Sequence, residues 1–548
     1  MTRLNLKFLS LLAVGCIIVV NPNTGWAAGC PFHFGKSTQE KEVVGPLGDR
    51  QSVCVANEPS AEVAATGLKE GFIEGSQPLP SVKEQGGTWR YLKGLAGMFW
   101  SPLDSFLAVS TRYSEFPMIT IAPGVVGPTT MVNDPDVADI LLKSNQGKIW
   151  IRAQDPSFDY VFGDSLPFVD GQKWVSERKL LQPLLNARRV QGFVKMMEDT
   201  TLEHLANLND SSKVNFSQLY AQITLDILLR SFFGEKIQYD LKEMEHHWEV
   251  ITKFLSGRAV SPFKLPLNPM MKFARRLPSW MSSAPIVGKY AQFIEANRVV
   301  DETIDRLIAR RQSELKDTPE TIIDVLLMAR DENGQPLSYE RVRSEIKMFL
   351  FVGHDTSALA LGWMTQALAT HPDVQDQLRD ELANTLPDGG LQYSDVKRET
   401  RPFLDSTIKE ILRLYPSGPV VARITDRDIS VSGYQVPKGS TLIISPWVMH
   451  RRPDLWADAE KFQPSRFLDE GKSDGPLLSF GDGPRKCIGA FFGTTEIAVV
   501  MSTLLRHFRV ESVKASKPVG VMTLQPKNPI KGHLKRLTCV RALTPAAD

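Results

Sequence analysis

Cysteine is scarce in this chain, with five in 548 residues: Cys16, Cys30, Cys54, Cys487 and Cys539. That is too few, and too widely spread, for a disulfide framework. An excess of either charge is missing as well. Lys and Arg number 64 against 62 Asp and Glu, a formal net charge of +2, so nothing marks nucleic acid as a partner. Neither a dinucleotide-binding glycine fingerprint nor a Walker loop occurs, which removes two nucleotide-binding designs. Beyond the first 80 residues there is no short-period repeat and no low-complexity tract, so a solenoid is excluded.

What is present is an ordinary globular composition, 42% hydrophobic and 23% charged, in a chain long enough to bury a large core. The amino end stands apart. "MTRLNLK" carries two positive charges, "FLSLLAVGCIIVV" (8–20) is an apolar run of thirteen residues, and "NPNTGWAAG" ends in small residues. This pattern reads residues 1–28 as a signal peptide. A membrane anchor is the alternative, although a spanning helix needs about 20 apolar residues. Basic residues ahead of the run keep the amino end cytoplasmic, so the remainder is expected to be exported or membrane-associated. Residues 29–80, rich in Gly, Ser, Pro and charge, read as a linker-like extension. Cys30 and Cys54 could pair there in an oxidising compartment. The Cys and His of "CPFHF" (30–34) have no further ligands nearby and read as exposed leader rather than a metal site.

From about 80 onward the pattern is dense. "MITIAPG" and "TTMVND" alternate like strands. Long helical patterns follow at 170–209, 214–234, 291–315, 338–370, 371–386 and 402–414, and short strands broken by Gly, Pro and Asp return between 422 and 447. The expected fold class is mainly α (α+β), a helix-rich body with small β-sheets, not an alternating βαβ fold.

Several stretches place chemistry where packing alone would not. The helix "EIKMFLFVGHDTSALALGWMTQAL" (345–368) is mostly apolar, yet its middle is "GHDTS". A glycine there costs about 1 kcal/mol relative to Ala, and Asp355, Thr356 and Ser357 need partners or a purpose. Either the turn is loosened to bind a small polar ligand and pass protons to it, or the hydroxyls bond back within a kinked core helix. In "STIKEILRLYP" (406–416), Glu410 and Arg413 stand three apart among apolar residues, which suggests a buried ion pair. Arg466, in the proline-punctuated stretch 456–469, is a candidate third member, because a guanidinium bridges two acceptors. "DGQKWVSERKLLQPLL" (170–185) puts Trp174 and Arg178 on one helix face, as donors to a carboxylate or phosphate or as a Trp covered by an Arg stem.

"FGDGPRKCIG" (480–489) sets one cysteine in a glycine-rich loop before the apolar helix 488–508. The loop lacks the Lys and Ser/Thr of a phosphate cradle. Helix N–H groups and the helix dipole favour a thiolate at Cys487. Gly481, Gly483 and Gly489 remove side chains so that a flat, bulky partner can approach, and Arg485 offers a cation beside it. These requirements fit iron ligated by a cysteine thiolate in a haem.

The loop resembles the haem-binding loop of the cytochrome P450 family, matching Phe480, Gly483, Arg485, Cys487 and Gly489 at that family's spacing. Glu410 and Arg413 match its Glu-x-x-Arg pair, and "FQPSRF" (462–467) matches the segment whose Arg466 completes a triad. "VGHDTS" (352–357) resembles the oxygen-activation stretch, with Thr356 as the alcohol and Asp355 as the acid. "WVSER" (174–178) is similar to the family's propionate-contacting Trp-x-x-x-Arg, and Arg423 occupies the position of another propionate-binding arginine. Val352 and Gly493 depart from the alanines usual at those positions. The matches run in family order over roughly 80–545 and imply one haem domain over 81–548.

The resemblance implies a haem-thiolate monooxygenase carrying haem b, with Cys487 on the iron. It further implies Phe480, Gly481 and Gly489 around that ligand, and Trp174, Arg178, Arg423 and Arg485 on the propionates. Asp355 and Thr356 would deliver protons. Electrons would come from a separate ferredoxin, flavodoxin or reductase, docking on a basic face near Arg451, Arg452, Arg485 and Lys486. Three rivals are a haem-thiolate hydroperoxide isomerase or lyase, a non-catalytic haem sensor or carrier, and a non-haem protein with a structural cysteine. The alcohol at Thr356 and an uninterrupted cysteine loop weigh against the first, and the Asp355–Thr356 pair against the second. The expected substrate is lipophilic, of the fatty acid or terpenoid class. The stretch "FKLPLNPMMKFARRLPSW" (263–280) reads as an apolar, basic-edged lid that could rest on a membrane surface.

Overall fold

The helix Tyr339–Thr370 runs through the centre of the fold. Its start is capped by Ser338, whose hydroxyl accepts the Arg341 N–H at 3.3 Å. It stops before His371, which is followed by Pro372, a residue that disfavours helical geometry in its predecessor. From Ile346 to Leu368 it is buried on nearly every side, as befits a helix that is apolar all round. It packs along Phe216–Phe233 and is also crossed by Ala490–His507. Gly353 makes the first of these contacts possible: a Cβ there would lie 2.7 Å from Leu228 Cδ2.

The computed structural model describes residues 68–70, 76–85, 101–122, 128–144, 150–151, 156–206, 208, 213–234, 241–260, 267–274, 287–383, 390–469, 475–520 and 522–537. The expected signal peptide, the Cys30–Cys54 pairing and "CPFHF" lie outside the described residues. So do Lys264, Arg275 and Arg276 of the expected lid, whose described part is the short helix Leu267–Ala274. Among the described residues no helix is long and apolar enough to cross a membrane.

The helix-rich body with small sheets agrees with the sequence-based expectation. Helices Phe216–Phe233, Pro372–Ala383 and Pro402–Leu414 fall where periodicity put them. The expected helix over 170–209 is instead three helices, Gly171–Leu181, Ala187–Gly192 and Val194–Ala206, with a 3₁₀ turn Gln182–Leu185 between the first two. Pro183 ends the first by removing a backbone donor, and Asn186 caps the second by accepting the Arg189 N–H at 2.9 Å.

The largest sheet has the order Met118–Ala122, Thr129–Val132, Thr441–Ile444, Val421–Thr425, Trp150–Ile151. Its one parallel pairing joins Thr441–Ile444 to Thr129–Val132. Ile429–Val431 and Tyr434–Val436 form a hairpin through Ser432 and Gly433, both at positive φ as a tight hairpin turn requires. Leu68–Glu70 and Gln77–Pro78, inside the stretch expected to be linker-like, add strands to that hairpin. Near the carboxyl end, Pro518–Val519 pairs antiparallel with Gln525–Pro526.

Candidate active site

The cysteine loop is shaped by two glycines. Gly481 (φ +67) and Gly483 (φ +68) adopt the left-handed conformation. Cys487 N–H donates to Phe480 C=O at 2.9 Å and Lys486 N–H to Gly483 C=O at 3.0 Å, which closes the turn. A Cβ on Gly483 would stand 2.1 Å from the Leu142 carbonyl oxygen, at the end of helix Pro135–Lys143. The expectation that all three glycines clear a path for a cofactor is therefore corrected: Gly483 clears a path for a neighbouring backbone. Gly481 faces open space, and Gly489 makes only ordinary contacts with Leu185 and the Cys487 sulfur.

Cys487 is exposed, yet burial of its surroundings pushes the thiol pKa up. The sulfur is thus open to solvent while closely surrounded by protein. The Gly489 N–H, Arg178 and Lys486 pull in the opposite direction. Burial prevails, so the dipole does not by itself yield a thiolate; a bound metal ion would deprotonate the thiol.

Trp174, Arg178, Arg423 and Arg485 gather around this loop. The Arg485 guanidinium lies 4.6 Å from the Trp174 ring centroid, donates to the Val169 carbonyl at 3.2 Å and pairs with Asp170. Its Nε is buried with no hydrogen-bond partner. Arg178 Nη1 donates to the Lys486 carbonyl at 2.8 Å. Arg423 sits on Val421–Thr425 opposite Leu442, and burial together with the nearby Arg485 lowers its pKa to about 10. The sequence suggested Trp174 and Arg178 as a joint donor pair; in the fold it is Arg485 that covers Trp174.

The ion network beneath the loop is complete. Arg413 Nε and Nη2 donate to the two Glu410 carboxylate oxygens at 2.7 and 2.8 Å, with both side chains fully buried. The same guanidinium donates to the carbonyls of His450, Ala459 and Lys461. Arg466 approaches Glu410 at 3.5 Å, as expected of a third member, and Gln463 N–H donates to Glu410 at 2.9 Å.

His450, which the sequence did not single out, links this network to the loop. Its Nδ1 donates to the Arg413 carbonyl at 2.9 Å and its Nε2 accepts the Leu478 N–H at 2.8 Å. Burial holds its pKa down to about 3, so the ring is neutral. Ser479 adds a bond from its hydroxyl to the Leu412 carbonyl at 2.8 Å. No residue spacing announces these roles; they depend on segments far apart in the chain.

The central helix continues without a break through "GHDTS". Thr356 Oγ1 donates to the Val352 carbonyl one turn earlier at 2.7 Å, and the Thr356 carbonyl accepts the Ser417 hydroxyl at 2.9 Å. Asp355 accepts from Gln525 Nε2 at 3.0 Å, so the acid and the alcohol have different partners. Burial raises the Asp355 pKa, while His354, Gln525 and Thr523 lower it. Glu496, also unanticipated, lies on Ala490–His507 with both oxygens buried and without a well-formed hydrogen bond. Burial pushes it up to about 8, partly opposed by the Ser357 hydroxyl.

The expected basic docking face is corrected. Arg451 is buried over the Trp447 ring and donates to the Leu414 carbonyl. Arg452 is buried too, pairing with Asp454 and donating to the Asn133 carbonyl. Arg485 faces Asp170. Of the four cations, Arg451 and Arg452 are buried and Arg485 is half-buried, whereas Lys486 is exposed. Arginine's five donors suit it to such interior carbonyl contacts, and sequence alone does not distinguish that use from a surface charge.

A family model described as Cytochrome P450 matches residues 89–532. The chain is 29% identical over 455 residues to Cytochrome P450 4V2 of Pongo abelii, covering 79% of this chain and 85% of that protein. It is 27% identical over 470 residues to the chloroplastic protein LUTEIN DEFICIENT 5 of Arabidopsis thaliana, covering 82% and 75% respectively. Among solved structures, retinoic acid-bound cyanobacterial CYP120A1 matches with a TM-score of 0.65 and 23% identity, over 78% of this chain and 93% of that one. At that identity the structural likeness speaks to the fold. Fold and family match together define the class, that of haem-thiolate iron proteins. The chain belongs to the cytochrome P450 family and is a P450 monooxygenase.

Proposed function

We propose that this enzyme inserts one oxygen atom of O2 into a lipophilic small molecule of the fatty acid or terpenoid class, using haem b. The observation that carries the cofactor assignment is the donor set around the loop. It comprises an exposed sulfur at Cys487, open space at Gly481, and a buried Arg485 Nε without a hydrogen-bond partner. Cys487 would ligate the iron, with Phe480, Gly481 and Gly489 beside it, and Trp174, Arg178, Arg423 and Arg485 would hold the propionates. When bound, the haem iron supplies the oxygen-activating redox chemistry, and a thiolate ligand favours O–O cleavage.

The chain's own contribution is orientation and proton handling. Thr356 commits its proton to the Val352 carbonyl, leaving its oxygen free to accept a hydrogen bond. Asp355 holds an acid in reserve nearby. Val352, 37% exposed, lies one turn before Thr356 on the same helix face, which supports an apolar lining for the substrate. Electrons would arrive from a separate acidic protein near the exposed Lys486, whose carbonyl accepts from Arg178. Phe273, 51% exposed beside Lys272 on Leu267–Ala274, supports contact with a membrane surface.

Reduction under carbon monoxide tests the assignment. The far-shifted Soret band of thiolate ligation is expected, and its absence would defeat the reading. Binding-induced spectral shifts across a lipid and terpenoid library then identify the substrate, and a library without responders counts against the lipophilic class.

A further inference from the structure

Asp355 is held from 170 residues further along the chain. Gln525 Nε2 donates to Asp355 Oδ2 at 3.0 Å, lies 3.4 Å from Oδ1, and also reaches Thr523 Oγ1 at 3.0 Å. The Thr523 hydroxyl, which accepts this bond from Gln525, also favours the ionised Asp355 carboxyl. Both residues belong to the carboxyl-terminal hairpin, in which Pro518–Val519 pairs with Gln525–Pro526. The turn between the two strands is forced at Gly520. Its φ is +104, and a Cβ there would meet the Thr523 carbonyl oxygen at 2.4 Å.

Other bonds lock this tip. The buried Leu524 donates its N–H to the Ser417 carbonyl at 3.0 Å, and its own carbonyl accepts Trp363 Nε1 at 3.1 Å. Ser417 in turn donates to the Thr356 carbonyl. The hairpin is thus fastened to the central helix at the acid–alcohol step, through Gln525 and by way of Ser417, and about two turns later at Trp363. Such a tip holds a carboxyl in one orientation far better than a free loop would.

Resting on the monooxygenase reading above, we propose that Gln525 and Thr523 are positioning residues for Asp355. They aim its carboxyl toward the hairpin rather than toward Thr356 and favour its ionised form. Proton supply at "GHDTS" is thereby set by the hairpin as well as by the helix. Among the described residues, His354 on the same helix is the titratable group acting on Asp355. His354 is buried, its Nδ1 donates to the Leu350 carbonyl, and burial lowers its pKa. The hairpin contributes Thr523 and Gln525, neither of which titrates, and Glu496 on the helix after the cysteine faces Ser357 instead.

The test is an infrared pH titration of the ferric holoenzyme. It follows the carbonyl stretch of protonated Asp355, assigned by its loss in Asp355→Asn. A hydrogen bond to a charged group is worth about a factor of ten. In Gln525→Leu the carboxylate-to-acid ratio at a fixed pH is therefore expected to fall roughly tenfold, and Thr523→Val should move it the same way. If either variant keeps the thiolate band under carbon monoxide and titrates like the parent, the proposal is overturned. A second readout uses substrate-free holoenzyme with a chemical reductant and air. The pH profile of peroxide release should shift with the infrared ratio, and a profile that stays put while the ratio moves would overturn the proton-supply role. A parent lacking the thiolate band would instead defeat the monooxygenase reading, whereas the infrared shift would still report on the hairpin contact.

Discussion

His450 is uncharged in the fold because burial disfavours its protonated ring, an effect that its bond to the Arg413 carbonyl only partly opposes. The unfolded chain takes up a proton near pH 6.5, whereas the folded ring resists protonation down to about 3. Stability contributed by neutral His450 is thus present above pH 6.5 and is lost as pH falls toward 3, by at most about 1.4 kcal/mol per unit. Glu345 and Glu496 carry the opposite sign, since burial raises both to about 8. Their contribution is present below the usual carboxylate range and is lost as pH rises toward 8. Urea unfolding at several pH values separates the groups. Relative to the parent, His450→Gln should gain roughly 1–2 kcal/mol between pH 7 and 5. Glu496→Gln should gain more, roughly 3–4 kcal/mol, between pH 5 and 8. Parallel curves for parent and variant would refute the assigned charge states. At this scale the sequence exposed Cys487, Glu410 and Arg413 through spacing. It hid His450, Glu496 and Gln525, whose partners are set only by folding.

Among the elements, the cysteine loop separates two kinds of glycine. Gly481 needs only a left-handed backbone, and an alanine there costs about 1–2 kcal/mol. Gly483 needs that backbone and also an approach of 2.1 Å between an added Cβ and the Leu142 carbonyl. Gly483→Ala should therefore cost several times more and abolish the thiolate band, while Gly481→Ala should retain it. Carbon monoxide spectra alongside unfolding midpoints check the contrast. The central helix makes a similar claim. Gly353→Ala should destabilise by about 1–3 kcal/mol through overpacking on Leu228, and Leu228→Val should recover part of the loss. The glycine of "GHDTS" is thus explained by a helix crossing, not by a loosened turn. Periodicity located the helices well, but it could not supply the reason for this glycine, which lies on another helix.

Across the molecule, one guanidinium joins three distant segments. Arg413 ties the Glu410 helix to the chain at His450 and at Ala459–Lys461, and His450 extends the tie to the cysteine loop. Arg413→Ala leaves Glu410 buried with its main partner gone, a loss of about 3–5 kcal/mol. The expected outcome is a lower unfolding midpoint together with poor haem retention, and full haem loading at parental stability would refute the structural role. The misassigned Arg451 and Arg452 belong to this scale too. Their positive charge was plain in the sequence, but their direction depended on Trp447, Asp454 and Asn133, brought to them by the sheet and the loops.

By itself the sequence picked out the cysteine loop, the Glu410–Arg413 pair, the adjoining Asp355 and Thr356, and the helix-rich class. Each is a local pattern, where the chemistry follows from residue type and spacing within one stretch. Tertiary structure alone decided which arginines turn inward, which glycine yields to a neighbouring backbone, and which side chains hold Asp355. Those outcomes depend on contacts between residues up to several hundred positions apart, and such contacts leave no periodic trace in the chain.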